Sequence, residues 1–272
     1  MYFNDYFKAL SNEALFTKEI LSSGLTQIIQ ADYIYKGKYF QAFNNLSIGL
    51  ERIGKLCLIL DFYIEGNGKF PKLTYLKTEI GHKLLVLYNK TNDIIIRRSI
   101  SLRFLGNLEN EIHQNILGIL TNFAEGDRYS NLNLLTNGNY INDPVASWYN
   151  KVDTLICEEI PIKIKSKLSK KAKLYSEKMS NAGMVFYISE TGCDITEFED
   201  AEYRMSIKEL IAPSRQLYLI HIIRFWVEVL LALQYLAQAI KLDDIPEFSE
   251  IFGVFNNPDS YIKTRHNWDG FY

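Results

Sequence analysis

Apolar residues along this chain recur at helical rather than strand spacing. The clearest case follows Gly37, where Phe43, Leu46, Leu50, Ile53, Cys57, Leu60 and Ile64 alternate steps of three and four. Such a seam belongs to a helix packed at a shallow angle on its neighbours. Residues 12–31 have the same helical character. The seam stops at Gly66-Asn67-Gly68, and after Pro71 a second apolar face, Leu76, Ile80, Leu84 and Leu87, predicts an antiparallel partner helix. Leu108, Ile112, Ile116, Leu117 and Leu120 predict a third over Asn107–Phe123. The long Asn- and Gly-rich loop that follows carries enough Leu and Tyr to fold back onto the body.

Asp143 or Asp153 starts the next helix, with Trp148, Val152 and Ile156 inward, until Pro161 breaks or kinks it. MVFYISE, residues 184–190, is β-branched and aromatic and predicts a small hairpin spanning 184–203. The longest apolar run is Pro213–Ile240. Pro213 suits the first turn of a helix, with Ser214 beside it. Its residues are apolar nearly all round, which implies burial or a partner surface, yet His221, Arg224 and Glu228 share one face at i, i+3 and i+7. Leaving either charge buried alone costs about 3–5 kcal/mol, so the stripe needs partners. A short helix is expected at Pro246–Val254. The pattern predicts a mainly α protein: one extended up-and-down helical bundle in a single domain, with sub-lobes at 1–130 and 143–272 as the alternative division, and a β-hairpin insertion near 184–203.

Composition narrows the chemistry. With 47% hydrophobic and 14% aromatic residues the chain folds, and its net charge of −2 gives no global attraction to a polyanion. RNA would have to be held locally, and Lys163, Lys165, Lys167, Lys170, Lys171 and Lys173 place six positive charges in eleven residues. Tyr175 or Tyr187 could stack a base beside them; the alternative is a solvated helix face. Cys57, Cys157 and Cys193 form no C-x-x-C, which argues against disulfides and zinc and for a reducing cytoplasm. No basic-then-apolar leader and no uninterrupted run of roughly 18 apolar residues is present, so neither export nor a membrane partner is expected. Asp194, Glu197, Glu199, Asp200 and Glu202 lack calcium-loop spacing, and no G-x-x-x-x-G-K, G-x-S-x-G or H-E-x-x-H occurs. No metal and no cofactor is therefore expected.

Arg215 and His221, with five residues between them, could serve ribonuclease chemistry without metal, His221 as acid or base and Arg215 stabilising the phosphorane. On an ideal helix they lie about 120° apart and converge only at a helix start or through the long Arg side chain. The plainer alternative makes His221 a hydrogen-bonded core histidine and Arg215 a surface residue. His82, three residues after Glu79, would line the same cleft or bond across the bundle to a carbonyl or to Glu51.

FNNLSIGLERIGKLCLIL, the following EIGHKLLVLY and a late helix opening with R-x5-H resemble the HEPN superfamily of prokaryotic toxin–antitoxin and anti-phage proteins. The resemblance covers two bundle helices and the 213–240 helix. It implies a helical bundle that usually forms a homodimer and, in catalytic members, metal-independent RNA cleavage at a site shared by two protomers, with Arg215 and His221 as the catalytic pair. The chain departs from the pattern at Gln216, where Asn, Asp or His is common. Two functions are thus expected: a metal-independent endoribonuclease of prokaryotic defence, held to RNA by the lysines, or a non-catalytic interaction or antitoxin-type module. In the second, the 213–240 helix forms the dimer or cognate-protein interface, and His221, Arg224 and Glu228 are a structural network.

Overall fold

Asn4 opens the first helix by accepting the backbone N–H of Phe7 at 2.8 Å, and α1 runs over Asp5–Gln30. The computed structural model describes residues 4–72, 74–75, 81, 83–138, 142–179, 183–242 and 244–270. In α2, Gly37–Glu65, the predicted seam is the core: Phe43, Leu46, Leu50, Ile53, Cys57 and Leu60 are all buried. The two helices approach through glycines. A Cβ on Gly24 would stand 2.7 Å from Leu46 Cγ, and one on Gly49 2.6 Å from Leu21 Cδ2.

The expected helix after Pro71 is interrupted. Gly81 adopts φ +59°, which glycine tolerates without a Cβ clash, Lys83 is extended, and α3 starts only at Leu84, ending at Arg98. Leu76, Ile80, Glu79 and His82 lie outside the described residues. Helix α4 spans Glu111–Glu125, starting later than the apolar spacing suggests because the Asn110 side chain accepts the Ile112 N–H at 2.9 Å and fixes the start. The loop after it holds a 3-10 turn, Asp127–Tyr129, and α5, Ser130–Leu135. Asp127 and Ser130 are buried, so the start of this loop folds onto the body, whereas Leu132, Leu134 and Leu135 face outward.

Of the two candidate starts, Asp143 caps α6, Pro144–Trp148, by accepting from the Val145 and Ala146 N–H groups. The helix continues through a π turn, Tyr149–Asp153, into α7, Thr154–Glu158. Pro161 then separates it from α8, Ile162–Met179, of which Ala172 alone is buried. The hairpin is shorter than predicted: β1, Tyr187–Ile188, pairs antiparallel with β2, Asp194–Ile195. The acidic residues after it open a helix instead, Glu199 and Asp200 sitting in the first turn where the helix dipole favours negative charge.

That helix, α9, spans Phe198–Ala239, so Pro213 lies inside it rather than at its start. The lost backbone bond is offset by packing, because α9 crosses α1, α2 and α8 and runs through one continuous hydrophobic cluster. No residue from Ile211 to Gln234 reaches the exposed class. By length and composition α9 could cross a membrane, but 67% of its most apolar window is buried against other helices. It is a core helix over most of its length, with Tyr235, Leu236 and Ile240 exposed at its end. Short helices α10, Phe248–Phe252, and α11, Asp259–Thr264, complete the bundle.

The glycine contacts between α1 and α2 carry a direct expectation. Gly24→Val and Gly49→Val should each destabilise the protein by about 1–3 kcal/mol through overpacking, measured by urea unfolding at constant m.

Candidate functional site

The π turn fixes the first cluster. It brings Asp153 beneath Trp148, five residues earlier, whose indole N–H donates to Asp153 Oδ1 at 2.9 Å. Arg215 completes the site, its Nε and Nη2 each 2.7 Å from Asp153 Oδ1 and Oδ2. Nη1 donates to the carbonyls of Ala31 at 2.9 Å and Ile28 at 3.4 Å, and Nη2 also donates to Tyr39 Oη at 3.1 Å. All five N–H donors of the guanidinium are thereby engaged. Arg215 is 1% exposed, so it is not the surface residue of the plainer expectation. Burial lowers its pKa, but Asp153, through charge and hydrogen bonds, together with Tyr39 and Glu190 outweighs burial and holds the guanidinium charged.

His221 points elsewhere. Its Nε2 is 3.3 Å from Asp259 Oδ2 and its Nδ1 is 3.3 Å from His113 Nε2. The carboxylate only accepts, so His221 carries its proton on Nε2 and accepts at Nδ1 from His113. This leaves His113 Nδ1 without a partner among the described residues. Burial, then the neighbouring His221, pushes the His113 pKa down to about 4, and burial lowers that of His221 as well. Partial burial would raise Asp259, but Arg224 and His221 hold its carboxyl below the usual range.

Arg224 shares the same carboxylate through Oδ1, donates from Nε to the Phe255 carbonyl at 2.8 Å and from Nη2 to that of Asn257, and lies 4.3 Å over the Phe104 ring. Glu228 accepts the backbone N–H groups of Arg103 and Phe104 at 3.1 and 3.3 Å. The stripe on α9 thus clamps the 103–104 loop and the start of α11. Arg215 and His221 bond to separate sets of partners on different sides of α9. The structure does not join them into one reacting pair. His82 lies outside the described residues, and Glu51 pairs with Lys55.

The lysines of α8 stand on an open helix face. Lys163, Lys167 and Lys170, at i, i+4 and i+7, lie opposite the buried Ala172. Lys171 pairs with Glu202 at 3.1 Å, whereas Lys163, Lys165, Lys167, Lys170 and Lys173 have no carboxylate within 4.0 Å among the described residues. Tyr175 is exposed beside them; Tyr187 packs edge-on against Tyr33 instead. Among the described residues no group of three His, Cys, Asp or Glu could hold a metal.

Nothing in local sequence marks His113, Asp259 or Tyr39, because their partners lie far away along the chain. Asp153 left one usable signal: a buried Trp148 needs an acceptor for its indole N–H. No protein-family model, curated protein or solved structure matches the chain.

Two measurements follow from these clusters. Asp153→Leu, which strands Arg215, should cost about 3–5 kcal/mol, while the double variant Asp153→Leu/Arg215→Met should recover most of it in urea unfolding. Between the unfolded His pKa of about 6.5 and the folded value of about 4, the unfolded chain takes up the His113 proton more readily. Stability should therefore be full above about pH 6.5 and fall on acidification towards pH 4, by on the order of 3 kcal/mol from His113. Asp259 extends the loss to lower pH, since a depressed carboxyl stabilises only while ionised. Thermal melts from pH 7.5 to 4 should show this fall, and His113→Gln should flatten it.

Proposed function

We propose that the protein is a non-catalytic, RNA-binding helical module that holds the phosphate backbone on the lysine face of α8. The observation that carries this reading is the unpaired row Lys163, Lys167 and Lys170, exposed on a helix whose other side packs on α9. With a net charge of −2 over the whole chain, this face is the strongest local attraction for a polyanion. Exposed Tyr175 gives a base a surface to stack on. Cleavage by Arg215 and His221 has less support, because Arg215 has no donor left for a phosphorane and the two side chains diverge. The free cysteines Cys57, Cys157 and Cys193 favour a reducing cytoplasm.

Labelled single-stranded RNA titrated by fluorescence anisotropy tests the reading. Lys163→Glu/Lys167→Glu/Lys170→Glu should weaken binding more than about tenfold and flatten the log–log salt dependence by about 2, three lost phosphate contacts at roughly 0.7 each. Unchanged binding would remove α8 as the contact. Total RNA incubated in chelator should stay intact with wild type and with His221→Ala. Cleavage by wild type alone would reinstate the nuclease.

A further inference from the structure

The β1–β2 hairpin leaves one edge open. The Ser189 N–H donates to the Cys193 carbonyl at 2.8 Å, so the backbone groups of Tyr187 and Ser189 turn to β2. By the alternation of an antiparallel pair, those of Phe186 and Ile188 turn outward. Among the described residues no partner meets these outward N–H and C=O groups. The hairpin itself is fixed: Lys36 Nζ donates to the Ser189 carbonyl at 2.6 Å and folds the turn after β1 inward, with Glu190 buried.

The side chains alternate with the same period. Ile195, opposite Tyr187, is fully buried, and the Tyr187 ring packs on Tyr33 with centroids 5.5 Å apart, so this face looks into the body. Met184, Phe186 and Ile188 stand on the other face, exposed by 95%, 68% and 49%. An open edge with an apolar row is a template for a further strand, and proteins ordinarily blunt it with a lysine, a proline or a charge. Residues 183–189 include no charged residue and no proline.

We propose that this edge joins two copies of the chain, β1 of one protomer pairing antiparallel with β1 of its partner about a two-fold axis at Phe186. The segment is self-complementary in that register: Phe186 meets the partner's Phe186, and Met184 meets the partner's Ile188. These are the residues whose backbone groups point at the open edge, so each pair exchanges both of its hydrogen bonds. The same register lays both apolar rows side by side on one face and sets no like charges opposite one another. An uncharged row gives a charged segment nothing to pair with, whereas a second copy matches it in length, register and lack of charge. The contact uses up the free β1 edge of both protomers, so the assembly closes at two. Strands this short bury little area, which places the affinity at the weak end, on the order of 10–100 μM. No α8 lysine takes part, so the inference stands or falls separately from RNA binding.

Sedimentation equilibrium of the full chain without RNA, from about 5 to about 500 μM, tests it and should show monomer and dimer in exchange. Phe186→Lys sets two like charges against each other at the axis and should weaken the dimer at least about tenfold, with an unchanged thermal melt because the side chain is exposed. Disulfide trapping reads the register in a Cys193→Ser background, independently of how Phe186→Lys folds. Phe186→Cys should cross-link two copies under mild oxidation, since residues paired in this way stand at disulfide distance, whereas Leu135→Cys, equally exposed on α5, should not. The assignment is overturned by a chain that stays monomeric up to about 500 μM, by a folded Phe186→Lys that dimerises like wild type, or by equal cross-linking at the two cysteines. Species larger than a dimer that grow with concentration would overturn the closed pair.

Discussion

Taking a guanidinium out of water is the constraint around which this bundle is arranged. An unpaired buried cation would cost several kcal/mol, so the fold must deliver acceptors to Arg215 from every side. It does so from α1 through the Ile28 and Ala31 carbonyls, from α2 through Tyr39, and from the π turn through Asp153. Only a helix with one residue too many per turn places Asp153 under both Trp148 and Arg215. The irregularity in the backbone is thus the local answer to a charge problem in the core.

The second polar system works by a different logic. His221, Arg224 and Glu228 do not satisfy one another; they reach out from α9 to carbonyls, backbone N–H groups and Asp259 in irregular segments. An apolar helix alone would hold those segments only by area. Directional bonds fix where the chain between α10 and α11 and the loop after α3 must lie. The same dependence makes this end of the molecule sensitive to acid, because two of its members are neutral imidazoles in a place that disfavours their charged forms.

What could be read from the residues followed range. The α2 seam was legible because its period is a property of one helix, and each of Phe43 to Leu60 is buried where the spacing places it. The need of the α9 stripe for partners was legible from the cost of burying charge; the identity of the partners was not, since Asp259 and His113 lie 38 and 108 residues from His221. Pro213 looked like a beginning because local rules favour proline at a first turn, and packing on both sides overrode them. Arg215 and His221 looked like a pair because they are close in sequence, and helical geometry turned them apart. Glu190 gave no sign at all: a glutamate at a polar turn is ordinary until the turn is folded inward.

Arg215 also bears on the order of events in folding. Its bonds to Asp153, Tyr39, Ala31 and Ile28 close sequence separations of 62, 176, 184 and 187 residues. Closing loops of that length consumes chain entropy before any bond forms, and a pair of hydrated charges gains little until water is already excluded. The guanidinium therefore cannot nucleate the bundle. It latches helices that apolar seams have brought together, and it separates the one native arrangement from other compact packings of the same helices that would leave it dry and unpaired.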